Sequence, residues 1–225
     1  MSQELWSAVD KYYTSLLVKP APEFEQTNQN ARQEGLPTIQ ITAVQGALLE
    51  ALVRFGKVNR ILEIGTLGGF STAWLARGLG PDGKLISLEI DPDHARVARE
   101  NIARFALDGE VEILVGDGRD LLQDLIEGGT PAFDLIFLDA AKDQYRTYLE
   151  LALELSRPGT LIIADNVVRR GDILERNSED SSVKGIQEFN EFIAAEPRLS
   201  ATVIQTVGEK GYDGFAFILV NDLID

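Results

Sequence analysis

The stretch DLIFLDAAKDQYRTYLELALELS, Asp134 to Ser156, decides how the rest of the chain is read. It opens as an apolar run of strand length and closes with apolar residues at helical spacing. Between the two stand an acid, Asp139, and a base, Lys142. A strand running straight into a helix is the repeating unit of α/β proteins, whose ligands lie beyond the carboxyl ends of the strands. The pair is therefore either part of a site or an ordinary polar strand terminus, and the neighbouring segments have to arbitrate.

Working outward, the same alternation recurs. Upstream lie RILEIG then STAWLARGLG, KLISLEI then PDHARVARENIARFAL, and VEILVG then GRDLLQDLIEGG. Downstream, GTLIIAD is followed by the polar RRGDILERNSEDSS and then by VKGIQEFNEFIAAE. ATVIQTVG and GFAFILVND follow with no helix between them, as an antiparallel pair does. Five β-α units with strands this apolar predict a mostly parallel sheet covered by helices on both faces, closed by an antiparallel C-terminal strand. No repeat or linker divides the chain, so one domain over residues 1–225 is expected, with residues 1–40 as a helical extension. In that extension Leu5, Val9, Tyr12 and Leu16 fall at helical spacing, and Pro20 with Pro22 ends the run. A further helix is expected to face inward through Val44, Leu48, Leu52 and Phe55, capped by Gly56. Ser71 is the expected N-cap of the helix after the first strand.

Composition narrows the function. The 225 residues carry a formal charge of −15, which repels phosphate backbones and argues against a nucleic-acid substrate. The chain has no cysteine, which removes thiolate nucleophiles, disulfides and cysteine zinc sites and fits a reducing cytoplasm. The single histidine, His94, leaves no histidine triad or multi-histidine metal site and reads as a solvated surface residue. Trp74 reads as core, and Trp6 as a residue that packs on a partner subunit. No apolar run approaches the roughly 20 residues that span a membrane, and the N-terminus is not that of a signal peptide.

Each strand end carries a group that can serve a ligand. The first gives EIGTLGGFS, Glu63 to Ser71, whose G-x-x-G-G spacing departs from the dinucleotide fingerprint but suits a small anion such as a carboxylate. The second gives Glu89, an acid able to accept from a ribose diol. The third gives Gly116-Asp117-Gly118, which can border a planar base. Taken singly, a turn, a solvated acid and a helix cap explain these three equally well or better. Taken together they point to an adenosine-bearing ligand without a pyrophosphate, and S-adenosylmethionine fits. The fourth and fifth strand ends supply Asp139 and Asp165-Asn166, an all-oxygen set suited to magnesium if the two strands are neighbours.

The segments ILEIGTLGGFSTAWLA, LDAAKDQY and ADN, in that order, resemble the cation-dependent O-methyltransferases, the group of caffeoyl-CoA and catechol O-methyltransferases. The ending QTVGEKGYDGFAFILV resembles bacterial members. The resemblance, from about Pro37 onward, implies a three-layer Rossmann-like methyltransferase fold with seven strands. It implies a divalent cation, Mg2+, held by Asp139, Asp165 and Asn166, with Lys142 as catalytic base beside Asp139. It places Glu63, Gly65, Thr66 and Ser71 at the methionine part of S-adenosylmethionine, Glu89 on the ribose, and Asp117 with Gly118 along the adenine, next to Asp139. The N-terminal helices and residues 169–182 then cover a small phenolic substrate or contact a second copy, since members are usually homodimers. Ala141 and Arg170 stand where plant enzymes acting on coenzyme A esters have an acid and, nearby, an asparagine. That favours a vicinal diphenol, with a coenzyme A ester or RNA as the alternative acceptor.

Overall fold

The computed structural model describes residues 2–107 and 109–222. Among them the chain forms eight α-helices and seven strands, grouped in two compact units, residues 1–117 with 208–210 and residues 118–207 with 211–225. The first unit holds α1 (Gln3–Tyr13), α2 (Pro22–Gln33), α3 (Ala43–Gly56), β1 (Arg60–Ile64), α4 (Phe70–Gly78), β2 (Lys84–Glu89), α5 (Pro92–Arg104) and β3 (Val111–Val115). The second holds α6 (Gly118–Glu127), β4 (Leu135–Leu138), α7 (Tyr145–Glu154), β5 (Leu161–Ala164), α8 (Ser181–Ala195), most of β6 (Leu199–Gly208) and β7 (Gly211–Val220). A 3-10 turn, Lys142–Gln144, joins β4 to α7, and another, Arg169–Leu174, follows β5.

The strands lie in the order β3-β2-β1-β4-β5-β7-β6. β1 pairs in parallel with β2, β2 with β3 and β4 with β5, while β7 runs antiparallel to β5. This is the mostly parallel seven-stranded sheet, with an antiparallel C-terminal strand, that the alternation predicts. β1 and β4 are buried almost end to end because helices cover both faces, as continuous apolar runs require.

In the first unit an aromatic cluster ties the N-terminal helices down. Phe24 of α2 stacks on Trp74 of α4 at 4.0 Å between ring centroids and lies edge-on to Phe70. Trp74 is core, as read from the sequence. The α3 prediction needs correction. Its buried face is Gly46, Leu49 and Val53, whereas Leu48 is 41% and Phe55 91% exposed. The helix is apolar on more than one stripe, and packing chose between them: a Cβ on Gly46 would overlap the Trp74 indole, so only this glycine lets α4 come so close. Nor is Gly56 the cap; Lys57 takes the left-handed position, φ 50°. The α1 stripe of Leu5, Val9 and Tyr12, with Leu16 just beyond it, is exposed.

In the second unit α8 lies directly on the turn that carries Lys142. A Cβ on Gly185 would overlap the backbone of Lys142 and Asp143, so that turn is held against the helix.

Candidate active site

The glycine loop after β1 is built around a carboxylate. Glu63 is fully buried and accepts three hydroxyl hydrogen bonds, from Ser71 at 2.6 Å, Thr72 at 2.5 Å and Ser87 at 2.7 Å. Ser87 has one proton and gives it to Glu63, so Thr66 donates to Ser87, at 2.6 Å. Burying a carboxylate is costly unless its lone pairs are filled, and here neutral donors fill them. Ser71 is therefore not the N-cap expected of it. Gly69, at φ 79°, opens α4 without a side-chain cap, and the Ser71 hydroxyl is spent on Glu63. Gly65 and Gly69 have positive φ, as does Leu67 between them.

Glu89, at the end of β2, holds the same loop from the other side. One carboxylate oxygen accepts from the backbone N–H of Thr66 at 3.2 Å and of Leu67 at 2.7 Å, and the other accepts from Asp91 at 3.0 Å. The first oxygen has both lone pairs engaged, whereas the second, with one donor, keeps a lone pair, so this work does not consume the whole carboxylate. His94 is not the solvated surface residue expected. It is half-buried, its Nδ1 3.7 Å from Glu89 and its Nε2 4.0 Å from Asp91. Asp91 caps α5 through its neighbours' N–H groups, and that turn brings His94 back over the strand end. Asn101, wholly buried on α5, donates to the Gly68 carbonyl at 2.9 Å and accepts from Asn30 of α2 at 3.0 Å. At the end of β3, Gly116 N–H bonds the Glu89 carbonyl at 2.9 Å, which sets Asp117 one residue beyond.

In the second unit Gly118 opens α6, buried against the Tyr148 ring, which a Cβ there would crowd at 3.1 Å. β4 and β5 are hydrogen-bonded neighbours with Leu138 opposite Ala164, so Asp139 and Asp165 leave the sheet side by side. This convergence is what a shared site needs. Asp165 is buried, and burial and the adjacent Asp139 charge push its carboxyl up to about 7. Lys142 and the Asn166 N–H, 2.6 Å from Asp165 Oδ1, oppose that rise only in part. Asn166 is left-handed, φ 59°, which turns the chain sharply after the strand.

Lys142 is buried, with Nζ 2.8 Å from Asp139 Oδ1 and 2.9 Å from the Tyr145 hydroxyl. Burial alone would lower its pKa, but the Asp139 charge and Tyr145 outweigh it and hold the ammonium above its ordinary range. Asp213 of β7 accepts from the N–H groups of Val168, Arg169 and Gly214, each at 3.0 Å, and so pins the segment after Asn166.

The donor set fits a hard divalent cation. It is all oxygen, and two adjacent carboxylates, one pushed toward protonation, share a single ammonium. Among the described residues no group of three or more His, Cys, Asp or Glu side chains is placed to hold a metal ion, so a cation here would rest on the two carboxylates and an amide oxygen. Sequence reasoning missed Thr72, Ser87, Asn101, Asp213 and Tyr145, because each acts through a neighbour that only folding supplies.

The sheet order is that of a Rossmann-like fold, and solved neighbours of the same fold are methyltransferases. A family model described as O-methyltransferase matches residues 18–216. The catechol O-methyltransferase of Niastella koreensis is 42% identical, covering 98% of this chain and 100% of that protein. The solved O-methyltransferase from Bacillus cereus, in complex with SAH, superposes with a TM-score of 0.96 at 46% identity, covering 98% of this chain and 100% of the other. TomG from Streptomyces achromogenes, an O-methyltransferase involved in tomaymycin synthesis and solved with SAM, gives 0.95 at 43% identity, covering 99% and 100%. The chain belongs to the O-methyltransferase family.

Proposed function

We propose that the protein is an S-adenosylmethionine- and divalent-cation-dependent O-methyltransferase acting on one hydroxyl of a small vicinal diphenol. The observation that carries this reading is the Asp139, Asp165 and Lys142 cluster: two adjacent carboxylates suited to a cation, with one amine beside them. The SAM- and SAH-bound relatives support the cofactor, and the relative named catechol O-methyltransferase supports the substrate class.

When bound, the cofactor supplies an electrophilic sulfonium methyl, and the cation, which Asp139, Asp165 and Asn166 would hold, makes a phenolic hydroxyl more acidic. Glu63, Ser71, Thr72 and Ser87 keep the glycine loop in one shape for the cofactor's methionine end. Glu89 braces that loop with one oxygen and keeps a spare lone pair on the other for a ribose hydroxyl, while Asp117 and Gly118 border the adenine. Lys142 takes the phenolic proton on Nζ, and it can do so only once Asp139's charge is engaged elsewhere, because that charge holds its own proton in place. Lys142 and the ends of β4 and β5 would hold the deprotonated oxygen next to the methyl donor, and held proximity would do much of the work. The exposed α1 stripe of Leu5, Val9 and Tyr12 supports a homodimer.

A mass-spectrometric methylation assay tests this with S-adenosylmethionine and a panel of catechols, including caffeic acid and its coenzyme A ester, with Mg2+ or with EDTA. A monomethylated catechol that disappears in EDTA is the expected result. Product that survives EDTA removes the cation, and methylation of the ester alone replaces the substrate class.

A further inference from the structure

Tyr145 is the largest wholly buried side chain among the described residues, and its hydroxyl meets Lys142 and the ends of β4 and β5. It accepts a hydrogen bond from Lys142 Nζ at 2.9 Å. Its own proton faces two carbonyls, that of Leu138 at 2.9 Å and that of Asp165 at 3.1 Å. Leu138 is the last residue of β4, directly before Asp139, and Asp165 directly follows β5. The ring is fixed independently of the hydroxyl, edge-on to Phe189 of α8 at 5.5 Å, and Lys142 Nζ sits 4.9 Å from its centroid. Lys142 is thus held from two directions: its backbone by α8 through Gly185, and its amine by Tyr145.

We propose that Tyr145 is a positioning residue for catalysis, its hydroxyl fixing the Lys142 amine relative to the ends of β4 and β5. Lysine ends in a flexible four-carbon stem with three rotatable donors, so a base of this kind is imprecise unless something holds it. A salt bridge to Asp139 alone does not suffice, since that carboxylate is the one Lys142 must release in order to work. Tyr145 supplies a neutral partner that stays when Asp139 is engaged elsewhere, and it is referenced to backbone rather than to another mobile side chain. Its burial and its ring packing keep the hydroxyl in one position. A misplacement near 1 Å at a reacting group costs about a hundredfold in rate, the scale on which such a brace acts.

This inference rests on Lys142 as the base, and the experiment separates the two. Tyr145→Phe keeps the ring and deletes the hydroxyl, and steady-state kinetics on a catechol give the first reading. The expected result is a kcat loss of about ten- to a hundredfold, with KM for the catechol and for S-adenosylmethionine changed less than about twofold. In a Lys142→Ala background the same substitution should change kcat less than about twofold, because residues that act through one another are not additive. Losses that multiply in the double variant would overturn the proposal. A second measurement is independent of turnover: the rate at which an amine-acylating reagent labels Lys142, read by peptide mass spectrometry against the exposed Lys11. Tyr145→Phe should speed labelling of Lys142 several-fold and leave Lys11 unchanged. Full activity in Lys142→Ala with faster labelling in Tyr145→Phe would sink the base assignment and keep the brace. Unchanged labelling in a folded Tyr145→Phe would sink the brace itself.

Discussion

Two buried acids at strand ends show opposite solutions to one problem. Glu63, in the first unit, accepts hydrogen bonds from three hydroxyls. Asp165, in the second, has Asp139 beside it, takes one backbone N–H, and is pushed up to about 7 by burial and that neighbour. The first arrangement fixes a shape, and its energy is spent within the fold. The second leaves charge under-compensated, which is the condition for binding a cation or moving a proton. The difference teaches that burial alone does not mark the reactive acid; the shortage of donors around it does.

The comparison breaks most visibly at Lys142. Lys142→Ala should lower kcat by about 10²–10⁴-fold, the range for a positioned general base, with cofactor affinity by calorimetry within about twofold. Full turnover in that variant would put the reactive chemistry elsewhere. Next comes Asp165→Asn, which should lower activity about a hundredfold and flatten its Mg2+ titration, on the scale at which even supporting groups of a metal site act. A titration curve like that of the unaltered protein would show that Asp165 is no ligand.

Glu63→Gln should behave in the opposite manner. It removes an acceptor from buried hydroxyls and should destabilise the protein by about 2–3 kcal/mol, since each buried donor left unpaired costs about 1–3 kcal/mol. At about 2–4 °C per kcal/mol for a chain of this size, Tm falls by about 5–10 °C, while the Mg2+ titration keeps its midpoint. A shifted midpoint with unchanged Tm would erase the contrast between the two acids.

The smallest effect lies in the pH dependence of stability. Burial and the Asp139 charge push the Asp165 carboxyl up to about 7 in the folded chain, against the ordinary 3.8 when unfolded. Between those values the native state holds a proton that the unfolded state has lost, so stability falls as pH rises through the window. In EDTA, Tm should drop by a few degrees between pH 5 and pH 8, and Mg2+ at pH 8 should restore it. Asp165→Asn should remove that part of the slope; an identical slope would assign it to another group.

The sequence alone determined the alternation of strands and helices, because apolar runs of strand length between helical stripes have few other solutions. It also placed Asp139, Lys142, Asp165 and Asn166 at strand ends, since a strand's carboxyl end follows from its length. It could not decide which stripe of α3 faces inward, because Gly46 matters only once the Trp74 indole is against it. For the same reason it mistook Ser71 for a cap and His94 for a surface residue. A hydroxyl's partner and an imidazole's neighbour are long-range facts, set here by Glu63 and by the turn at Asp91. The adjacency of β4 and β5, which turns two separate acids into one site, was likewise conditional until their register was known. Local periodicity specifies elements, whereas hydrogen-bond partners far apart in sequence are fixed only when tertiary packing brings them within reach.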